Sequence, residues 1–316
     1  MKKIFPAILA LCLLFAGCGG AAAPTAAAPT ASAPPPALTD CAGRAVELQA
    51  RPQRVVGLSS SMAEIWQLAG GALAGVTDDM VNERGMEVGE AAIVGTIKKP
   101  SVEAILALEP ELVIYSADIE GHLEAAAVLA QSGIPCYAAK VEAFDDYLKV
   151  LADFTALTGR GDLYEQNGRA VQEKIGALRA MAPTGGEAPT ALYLRAYSSG
   201  VKVKASDNVA CDILADVGAV NVAQGNSALE ELSMEAIVAA DPEFIFAVTM
   251  GDEAAAVEEL DRTLRANPAW DGLTAVQNGN FYLLPKDLFH YKPNARWGEA
   301  YEYLLRILWP EVYGAA

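Results

Sequence analysis

The sequence predicts an α/β fold with two similar lobes, each with a central parallel sheet flanked by helices, joined by one long helix. Two observations lead to this prediction. The fifteen residues from Ser101 recur from Ser233, 132 residues later, with seven identical positions. Each copy ends in a short apolar run, residues 112–115 or 244–247, which is typical of a buried strand in a parallel sheet. Because only two copies occur at so long a period, they indicate two related lobes and not a solenoid.

Each copy of the repeat is expected to form a helix followed by a strand. Ser101 and Ser233 are good N-cap residues, because a serine oxygen accepts from the free backbone N–H groups of the first turn. Apolar residues follow them at helical spacing. Pro110 and Pro242 end the helices, because proline lacks a backbone donor and crowds the preceding turn.

Glu103 and Glu235 occupy the second helical position of their copies. One interpretation is local: a carboxylate there complements the helix dipole, which is worth about 0.3–1 kcal/mol. The other is functional: two exposed acids, one per lobe and related by pseudo-symmetry, would form a two-point docking surface. The repeat by itself leaves both interpretations open.

The N-terminal lobe is assigned to residues 38–158. A strand over residues 54–58 runs into a serine-rich loop, and a helix over residues 62–68 ends at paired glycines. After the first repeat, an amphipathic helix over residues 122–131 and a strand over residues 134–137 complete the lobe.

The bridge is assigned to residues 159–182 and the C-terminal lobe to residues 183–316. Residues 163–181 show an apolar side and a charged side, as expected of a surface helix. A helix as the only connection predicts a stiff pair of lobes with limited closure. The second lobe repeats the plan of the first, from a strand over residues 191–196 to a final helix over residues 297–308.

The N-terminus indicates export. Residues 1–17 combine two early lysines with an apolar stretch that is too short to span a bilayer as a stable anchor, which is typical of a signal peptide. Cys18 follows Phe-Ala-Gly, similar to the lipobox of bacterial lipoproteins although Phe replaces the usual Leu. We therefore expect Cys18 to be lipidated, with simple secretory cleavage as the alternative. Residues 18–37 carry no charge and are rich in Ala and Pro, so they are expected to form a tether.

Composition excludes several classes of function. The chain carries 23 Lys and Arg against 40 Asp and Glu, a formal net charge of −17, which disfavours nucleic-acid partners. It has five cysteines, none at metal-type spacing, and two histidines, which disfavours a bare transition-metal site. It contains no nucleophile elbow or phosphate loop, so we expect neither an enzyme nor an intrinsic cofactor.

The lipobox, the two lobes, the linking helix, the paired Ser-x-Glu-Ala-Ile-x-Ala-x-x-Pro-Glu motifs and the segment from Lys292 to Leu304 together resemble a known family. It is the periplasmic-binding proteins of ABC importers for siderophores, haem and cobalamin, and the similarity covers about residues 52–310. The resemblance implies a shallow cleft between the lobes. It also implies that Glu103 and Glu235 dock onto arginines of a permease dimer that works with an ATPase.

The resemblance implies a lipid-anchored, extracytoplasmic and monomeric substrate-binding protein that captures an iron complex, either a siderophore or haem. A cobalamin-binding protein of the same family is the first alternative. An extracytoplasmic enzyme or a sensor lipoprotein on the same scaffold is the alternative from another class.

Candidate ligand-binding residues follow from the rule that ligands of α/β lobes bind beyond the carboxyl ends of the strands. They are Ser60, Met80 and Tyr115 in the first lobe, and Arg195, Tyr197, Phe289, His290, Tyr291, Arg296 and Trp297 in the second.

Several of these residues have a structural alternative. Phe289 and Trp297 could belong to the core of the lobe, and Arg296 could lie beside the last helix. His290 or Tyr291 could ligate haem iron, although a lone histidine is more often a hydrogen-bonding residue. The ligand stays open among siderophore, haem and cobalamin.

Overall fold

The computed structural model describes residues 35–183 and 185–315, and residues 34–316 form one structural unit. The predicted signal peptide (residues 1–17), the predicted lipidation site Cys18 and most of the predicted tether lie outside the described residues. In the described ranges no helix combines the length and the apolar character needed to cross a membrane.

The N-terminal lobe is built on a five-stranded parallel sheet. In chain order the strands of the whole lobe are β1 (Leu38–Thr39), β2 (Ala45–Val46), β3 (Val55–Gly57), β4 (Gly75–Val76), β5 (Ala92–Ile93), β6 (Gly95–Thr96), β7 (Lys99–Pro100), β8 (Leu112–Ser116) and β9 (Cys136–Ala139). The sheet order is β5-β4-β3-β8-β9, with every neighbouring pair parallel. β1 with β2 and β6 with β7 form separate antiparallel pairs.

Helices cover both faces of this sheet. They are α1 (Ser60–Leu68), α2 (Asp79–Asn82), α3 (Val102–Ala107), α4 (Glu120–Gln131) and α5 (Phe144–Thr158). On one face, Trp66 of α1 packs edge-on against Phe154 of α5, with ring centroids 5.4 Å apart. On the other face, Ile105 of α3 and Leu129 of α4 are buried in a separate apolar cluster.

A continuous helical segment links the lobes. It begins with α6 (Gly161–Tyr164), passes through a π-helical turn (Glu165–Arg169) and continues as α7 (Ala170–Met181). At the π turn the hydroxyl of Tyr147 donates to the carbonyl oxygen of Asn167 at 2.8 Å. The Asn167 side-chain amide donates to the carbonyl oxygen of Leu68, also at 2.8 Å, so the turn joins the bridge to the N-terminal lobe.

The C-terminal lobe has a mixed sheet. Its strands are β10 (Thr190–Tyr197), β11 (Gly200–Val203), β12 (Val220–Asn221), β13 (Phe244–Thr249) and β14 (Phe281–Leu283). The sheet order is β11-β10-β13-β14, and β12 also pairs with β10. All pairs are parallel except the hairpin of β10 and β11. This antiparallel hairpin is the one departure from the predicted parallel sheets, and the predicted two-lobed α/β fold is confirmed.

The C-terminal lobe contributes the remaining helices of the described residues. They are α8 (Val209–Asp216), α9 (Ser227–Glu230), α10 (Met234–Ala240), α11 (Glu253–Leu260), α12 (Thr274–Gln277), α13 (Lys286–Phe289), α14 (Trp297–Leu308) and α15 (Pro310–Tyr313). Short helical turns occupy Asp261–Arg265, Trp270–Gly272 and Asn294–Arg296.

Both copies of the repeat form the predicted helix and strand. The Ser101 hydroxyl oxygen accepts from the amide of Ala104 at 3.2 Å, and that of Ser233 accepts from Ala236 at 3.3 Å. The predicted caps are therefore present at α3 and α10. The amide of Ser101 also donates to the carbonyl oxygen of Val94 at 2.7 Å, directly after β5. This contact places the N-terminus of α3 near the carboxyl edge of the sheet.

The glutamate after each repeat proline has a structural role that the sequence did not reveal. Glu111 accepts from the backbone amide of Gln53 at 2.6 Å, and Glu243 accepts from that of Thr190 at 2.8 Å. Each carboxylate thus satisfies backbone donors where the first central strand of its lobe begins. Hydrogen bonds to an ionised acceptor contribute about 1.5–3 kcal/mol each in protected sites and less at exposed ones.

One apolar core runs through both lobes and the bridge. It includes Phe154 from the first lobe, Ile175 from the bridge, and Tyr193 and Trp297 from the second lobe, all buried. Phe144 of the first lobe meets Trp297 edge-on, with ring centroids 5.8 Å apart. Because tightly packed apolar surfaces resist sliding, this core favours a fixed relation between the lobes.

A groove of about 500 Å³ lies between α5, α7, α8 and α14. Asp216 in this groove is paired with Arg179 at 2.9 Å and accepts from the hydroxyl of Tyr301 at 2.7 Å. Asp212 lies beside it, and burial together with the neighbouring carboxylates of Asp216, Asp146 and Asp145 raises the pKa of Asp212 to about 6. Asp212 therefore costs stability when it is ionised.

We predict that Asp212→Asn stabilises the protein at neutral pH. The folded pKa of Asp212 is raised, so its favourable contribution is present at low pH and is lost as pH rises through about 6. The variant should unfold about 2 °C higher at pH 7.5, for a gain of about 1 kcal/mol. The gain should shrink steadily between pH 7 and pH 4 in thermal melts.

The matched control is Asp271→Asn, because Asp271 is an exposed carboxylate on the same lobe. Its removal changes the net charge equally and should leave no comparable pH-dependent gain. An equal gain in both variants would show that net charge, and not the groove, is responsible.

Candidate functional site

A cavity of about 360 Å³ lies between the lobes, bordered by the segments after β8 and β9 in the first lobe and by β10 and the segment after β11 in the second. Its walls are mostly charged or polar. The lining residues are Asp118, Glu142, Arg195, Lys204, Asp207, Asn208, Val209, Phe289, His290 and Lys292. We call this space the interlobe cavity.

Opposite charges face each other across the interlobe cavity. The first lobe contributes Asp118 and Glu142, which follow β8 and β9, and both are near the ammonium of Lys140, at 4.0 and 2.8 Å. The second lobe contributes the cations Arg195, Lys204 and Lys292 together with one carboxylate, that of Asp207. The cationic wall is thus the feature that a negatively charged guest would contact.

Burial leaves the charges of Lys292 and Asp118 incompletely compensated, and it leaves one donor of Arg195 without an acceptor in the residues that the structure describes. Burial lowers the pKa of Lys292, and the nearby Arg195 lowers it further, although Asp118 and Glu142 partly oppose this. Burial likewise raises the pKa of Asp118. The Nε of Arg195 is buried and lacks a hydrogen-bond partner within the described part of the chain. Buried donors are rarely left unpaired, so an acceptor from a ligand fits this wall.

His290 lies in the same wall. Burial, followed by the positive charges of Arg195, Lys286 and Lys292, lowers the pKa of His290 to about 3. Its Nδ1 is buried without a partner among the described residues. The ring is therefore neutral at physiological pH and would become easier to protonate when an anion enters the cavity.

The loop that carries His290 and Lys292 reaches the first lobe. The hydroxyl of Tyr291 donates to the carboxylate of Glu83 at 3.3 Å, and the guanidinium of Arg84 lies 5.3 Å from the Tyr291 ring centroid. Tyr291 therefore points away from the interlobe cavity, into a second cleft of about 510 Å³ that Glu83 also lines.

Ser60 and Met80 are buried in the first lobe. The amide of Ser60 donates to Asp79 at 2.9 Å, and Met80 packs with Ala63 and Val76 in a small apolar cluster. Both residues follow the ends of β3 and β4, as predicted, but their side chains serve the packing of α1 and α2.

Tyr115 lies on the face of the sheet under α4. It is buried with Val113 and Leu129, and the guanidinium of Arg44 donates to its hydroxyl. A single position along a strand decides the face that a side chain occupies, and Tyr115 occupies the face away from the interlobe cavity. We leave it out of the proposed ligand site.

Three candidates of the second lobe also take other roles. Trp297 is a core residue with no exposed surface, because the first turn of α14 packs on Phe144. Arg296 forms ion pairs with Asp287 and Glu299 on the surface. Tyr197 lies at the β10–β11 hairpin, with the ammonium of Lys202 5.8 Å from its ring centroid.

Phe289 fits both of its predicted roles, as a ligand-binding residue and as a residue of the lobe core. It lines the interlobe cavity, yet it is buried and its ring lies 5.8 Å from that of Tyr303. Of the ten candidates, the structure brings Arg195, Phe289 and His290 together at this cavity. The carboxyl-end rule applied to β9 would have found Glu142, whereas Lys204 follows β11, which runs antiparallel to β10. The ten candidates omitted the other lining residues: Asp118, Glu142, Lys204, Asp207, Asn208, Val209 and Lys292.

Glu103 and Glu235 are exposed, in the first turns of α3 and α10. Their carboxylates are therefore accessible to a partner, and neither is taken up by the packing of its own lobe.

We predict that His290 does not titrate above pH 5 and that the midpoint of His122 lies below its usual range. Burial also lowers the pKa of His122, whose ring accepts from the amide of Ser116 at 3.2 Å and hydrogen-bonds the carbonyl oxygen of Ile97 at 2.7 Å. Because both folded pKa values lie below the unfolded value of about 6.5, the stability contributed by the neutral rings is lost as pH falls below it.

In a protein of residues 34–316 without a histidine tag, the imidazole proton resonances of His290 should stay constant from pH 8 to pH 5. Those of His122 should shift with a midpoint below about 6.5. Arg195→Met should move only the His290 midpoint upward, which leaves His122 as the internal control. A midpoint above pH 6 for His290 in the unchanged protein would contradict the arrangement of the cavity.

Comparison with known proteins agrees with this architecture. The sequence profile of the family described as "Periplasmic binding protein" matches residues 55–288. The Fe(3+)-citrate-binding protein YfmC of Bacillus subtilis (strain 168) is 23% identical over 289 residues, covering 90% of this chain and 89% of that protein.

Solved structures share the fold. Staphylococcus aureus SirA complexed with staphyloferrin B superposes with a TM-score of 0.68 at 18% identity, over 86% of this chain and 98% of that one. The vitamin B12 binding protein BtuF of Vibrio cholerae gives a TM-score of 0.66 at 20% identity, over 82% and 97%. The resemblance found in the sequence is confirmed: the chain belongs to the periplasmic binding protein family, whose members bind solutes and are not enzymes.

Proposed function

We propose that the protein is the lipid-anchored, extracytoplasmic substrate-binding protein of an ABC importer, and that it captures a negatively charged iron chelate with carboxylate groups. The observation that carries this proposal is the cationic wall of the interlobe cavity, formed by Arg195, Lys204 and Lys292. Arginine binds carboxylates in a bidentate manner, and the unpaired Nε of Arg195 is available for such a contact.

The chemistry of the lining favours a carboxylate chelate over haem or cobalamin. Flat macrocycles bind between apolar and aromatic faces. The interlobe cavity offers one aromatic ring, Phe289, and that ring is almost fully buried. A cavity of about 360 Å³ also suits a small chelate better than a corrin ring with its side chains.

Haem ligation by the histidine–tyrosine pair has less support. The ring of His290 lies 4.5 Å from that of Tyr291, but the Tyr291 hydroxyl is directed to Glu83. The two side chains therefore do not converge on one axial position. Of the three relatives described above, two are named for Fe(3+)-citrate and staphyloferrin B, which accord with an iron chelate, and one is named for vitamin B12.

The lipid anchor and the two docking glutamates would together allow delivery of the chelate to the permease. Lipidation at Cys18 would hold the protein to the membrane through the tether of residues 18–37. Glu103 and Glu235, exposed and one per lobe, would then dock on a permease dimer that works with an ATPase. A monomer suffices, because its two lobes supply the two contacts.

We predict that residues 34–316 bind ferric citrate and that Arg195→Met or Lys292→Met weakens this binding about 10- to 100-fold. Loss of a charged hydrogen bond costs about 1.5–3 kcal/mol. Tryptophan fluorescence or calorimetric titration measures the change. Arg262→Met is the matched control, because Arg262 is an exposed cation of the same lobe that pairs with Glu259.

Two results would overturn the choice of ligand. One is equal affinity in Arg195→Met and the unchanged protein. The other is a Soret band or a corrin spectrum in protein purified from rich medium, since each would identify a macrocycle as the guest.

We predict that Glu103→Lys combined with Glu235→Lys abolishes uptake of the iron chelate while its affinity for the purified protein stays unchanged. Charge reversal replaces attraction to permease arginines with repulsion. Uptake of radioactive iron by cells measures the effect.

Glu124→Lys combined with Glu258→Lys is the control, since these exposed acids also lie one on each lobe. Uptake should persist in the control. Uptake that persists in the first pair as well would remove the docking role.

A further inference from the structure

A buried asparagine of the second lobe is bonded across the cleft to the first lobe. Asn294 has no exposed surface. Its side-chain amide donates to the carbonyl oxygen of Ser61 at 2.9 Å and to the carboxylate of Glu64 at 2.6 Å. Both acceptors belong to α1 of the first lobe.

The backbone at Asn294 is adapted to this contact. Its φ is +50°, a left-handed conformation that glycine, asparagine and aspartate adopt at low cost while other side chains are strained. The loop therefore turns sharply at the residue whose amide reaches α1.

Glu64 is shared between the two lobes. Besides Asn294, it accepts from a guanidinium nitrogen of Arg84 at 2.7 Å. The Arg84 side chain is only 11% exposed, and its guanidinium lies over Tyr291 of the same loop. The carboxylate thus holds an amide donor from one lobe and a cation from the other.

The same loop carries cavity residues. The backbone amide of Lys292 donates to the hydroxyl oxygen of Ser61 at 3.2 Å, and the side chains of His290 and Lys292 line the interlobe cavity. The position of these two side chains is consequently set by contacts with the first lobe, although the chain that carries them belongs to the second.

We propose that Asn294, Glu64 and Arg84 form an interlobe lock, and that Asn294 is a positioning residue that holds His290 and Lys292 in the cavity before any ligand arrives. The lock fixes the distance between the cationic wall and the first lobe, so the cavity is built in the ligand-free protein. Preorganisation of this kind raises affinity, because the loop is already ordered when the ligand binds.

The first test is Asn294→Asp in residues 34–316. Aspartate keeps the size and the tolerance of the left-handed backbone, but it places an acceptor against the acceptors of Ser61 and Glu64. Hydrogen exchange of the ligand-free protein should rise at the amide of Lys292, which donates to Ser61 across the lobe boundary. Affinity for ferric citrate should fall about tenfold, which corresponds to one charged hydrogen bond.

The second test restores a donor. Glu64→Gln added to Asn294→Asp places an amide opposite the new carboxylate, so exchange at the Lys292 amide should slow again and at least part of the affinity should return. Asn167→Asp is the matched control, because Asn167 is a largely buried amide that donates to one carbonyl oxygen far from the cavity. It should lower stability without changing exchange in the loop.

The outcomes separate the lock from the proposed ligand. Unchanged exchange in Asn294→Asp would overturn the lock, and faster exchange with unchanged affinity would overturn the positioning role. If the unchanged protein does not bind ferric citrate, the proposed ligand fails and exchange alone decides the lock. Should Asn294→Asp not fold, Glu64→Gln alone is the milder variant, and it must speed exchange at the same amide.

Discussion

The structure depends on one apolar core that both lobes share. Phe144 and Trp297 meet at the lobe boundary, and Ile175 of the bridge is buried in the same cluster. Separating the lobes would expose this surface at about 25 cal/mol per Å². The interlobe cavity is therefore a crevice between fixed walls, and the charges that line it keep their places without a ligand to hold them.

Fixed charges in a crevice would allow an acidic protein to bind the proposed anion. The chain has a formal net charge of −17, yet Arg195, Lys204 and Lys292 gather on one wall. Exposed charges farther apart than about 8 Å are largely screened at physiological salt, whereas partly buried groups are screened much less. For the proposed anion, the groups that line the cavity would then decide affinity, and these include the carboxylates of Asp118, Glu142 and Asp207. Acids farther away would contribute little.

The sequence predicted the parts of the fold that local rules govern. Ser101 and Ser233 cap their helices because capping depends on neighbours in the chain. The sequence could not show which face a strand residue such as Tyr115 occupies, because a wholly apolar run has no alternation to read. Trp297 was ambiguous for a related reason: its burial depends on Phe144, which lies more than a hundred residues earlier.

The contacts that connect the lobes were the hardest to predict from sequence patterns. Glu64 and Asn294 are 230 residues apart, and no spacing rule links them. Given two lobes, however, the polar groups of the loop after the last strand need hydrogen-bond partners either in the first lobe or in water. A buried asparagine with a left-handed backbone is expensive unless its amide nitrogen finds acceptors, and Nδ2 of Asn294 finds two in the first lobe. Its presence therefore requires a partner across the boundary, and Glu64 is the partner that also holds Arg84 in place.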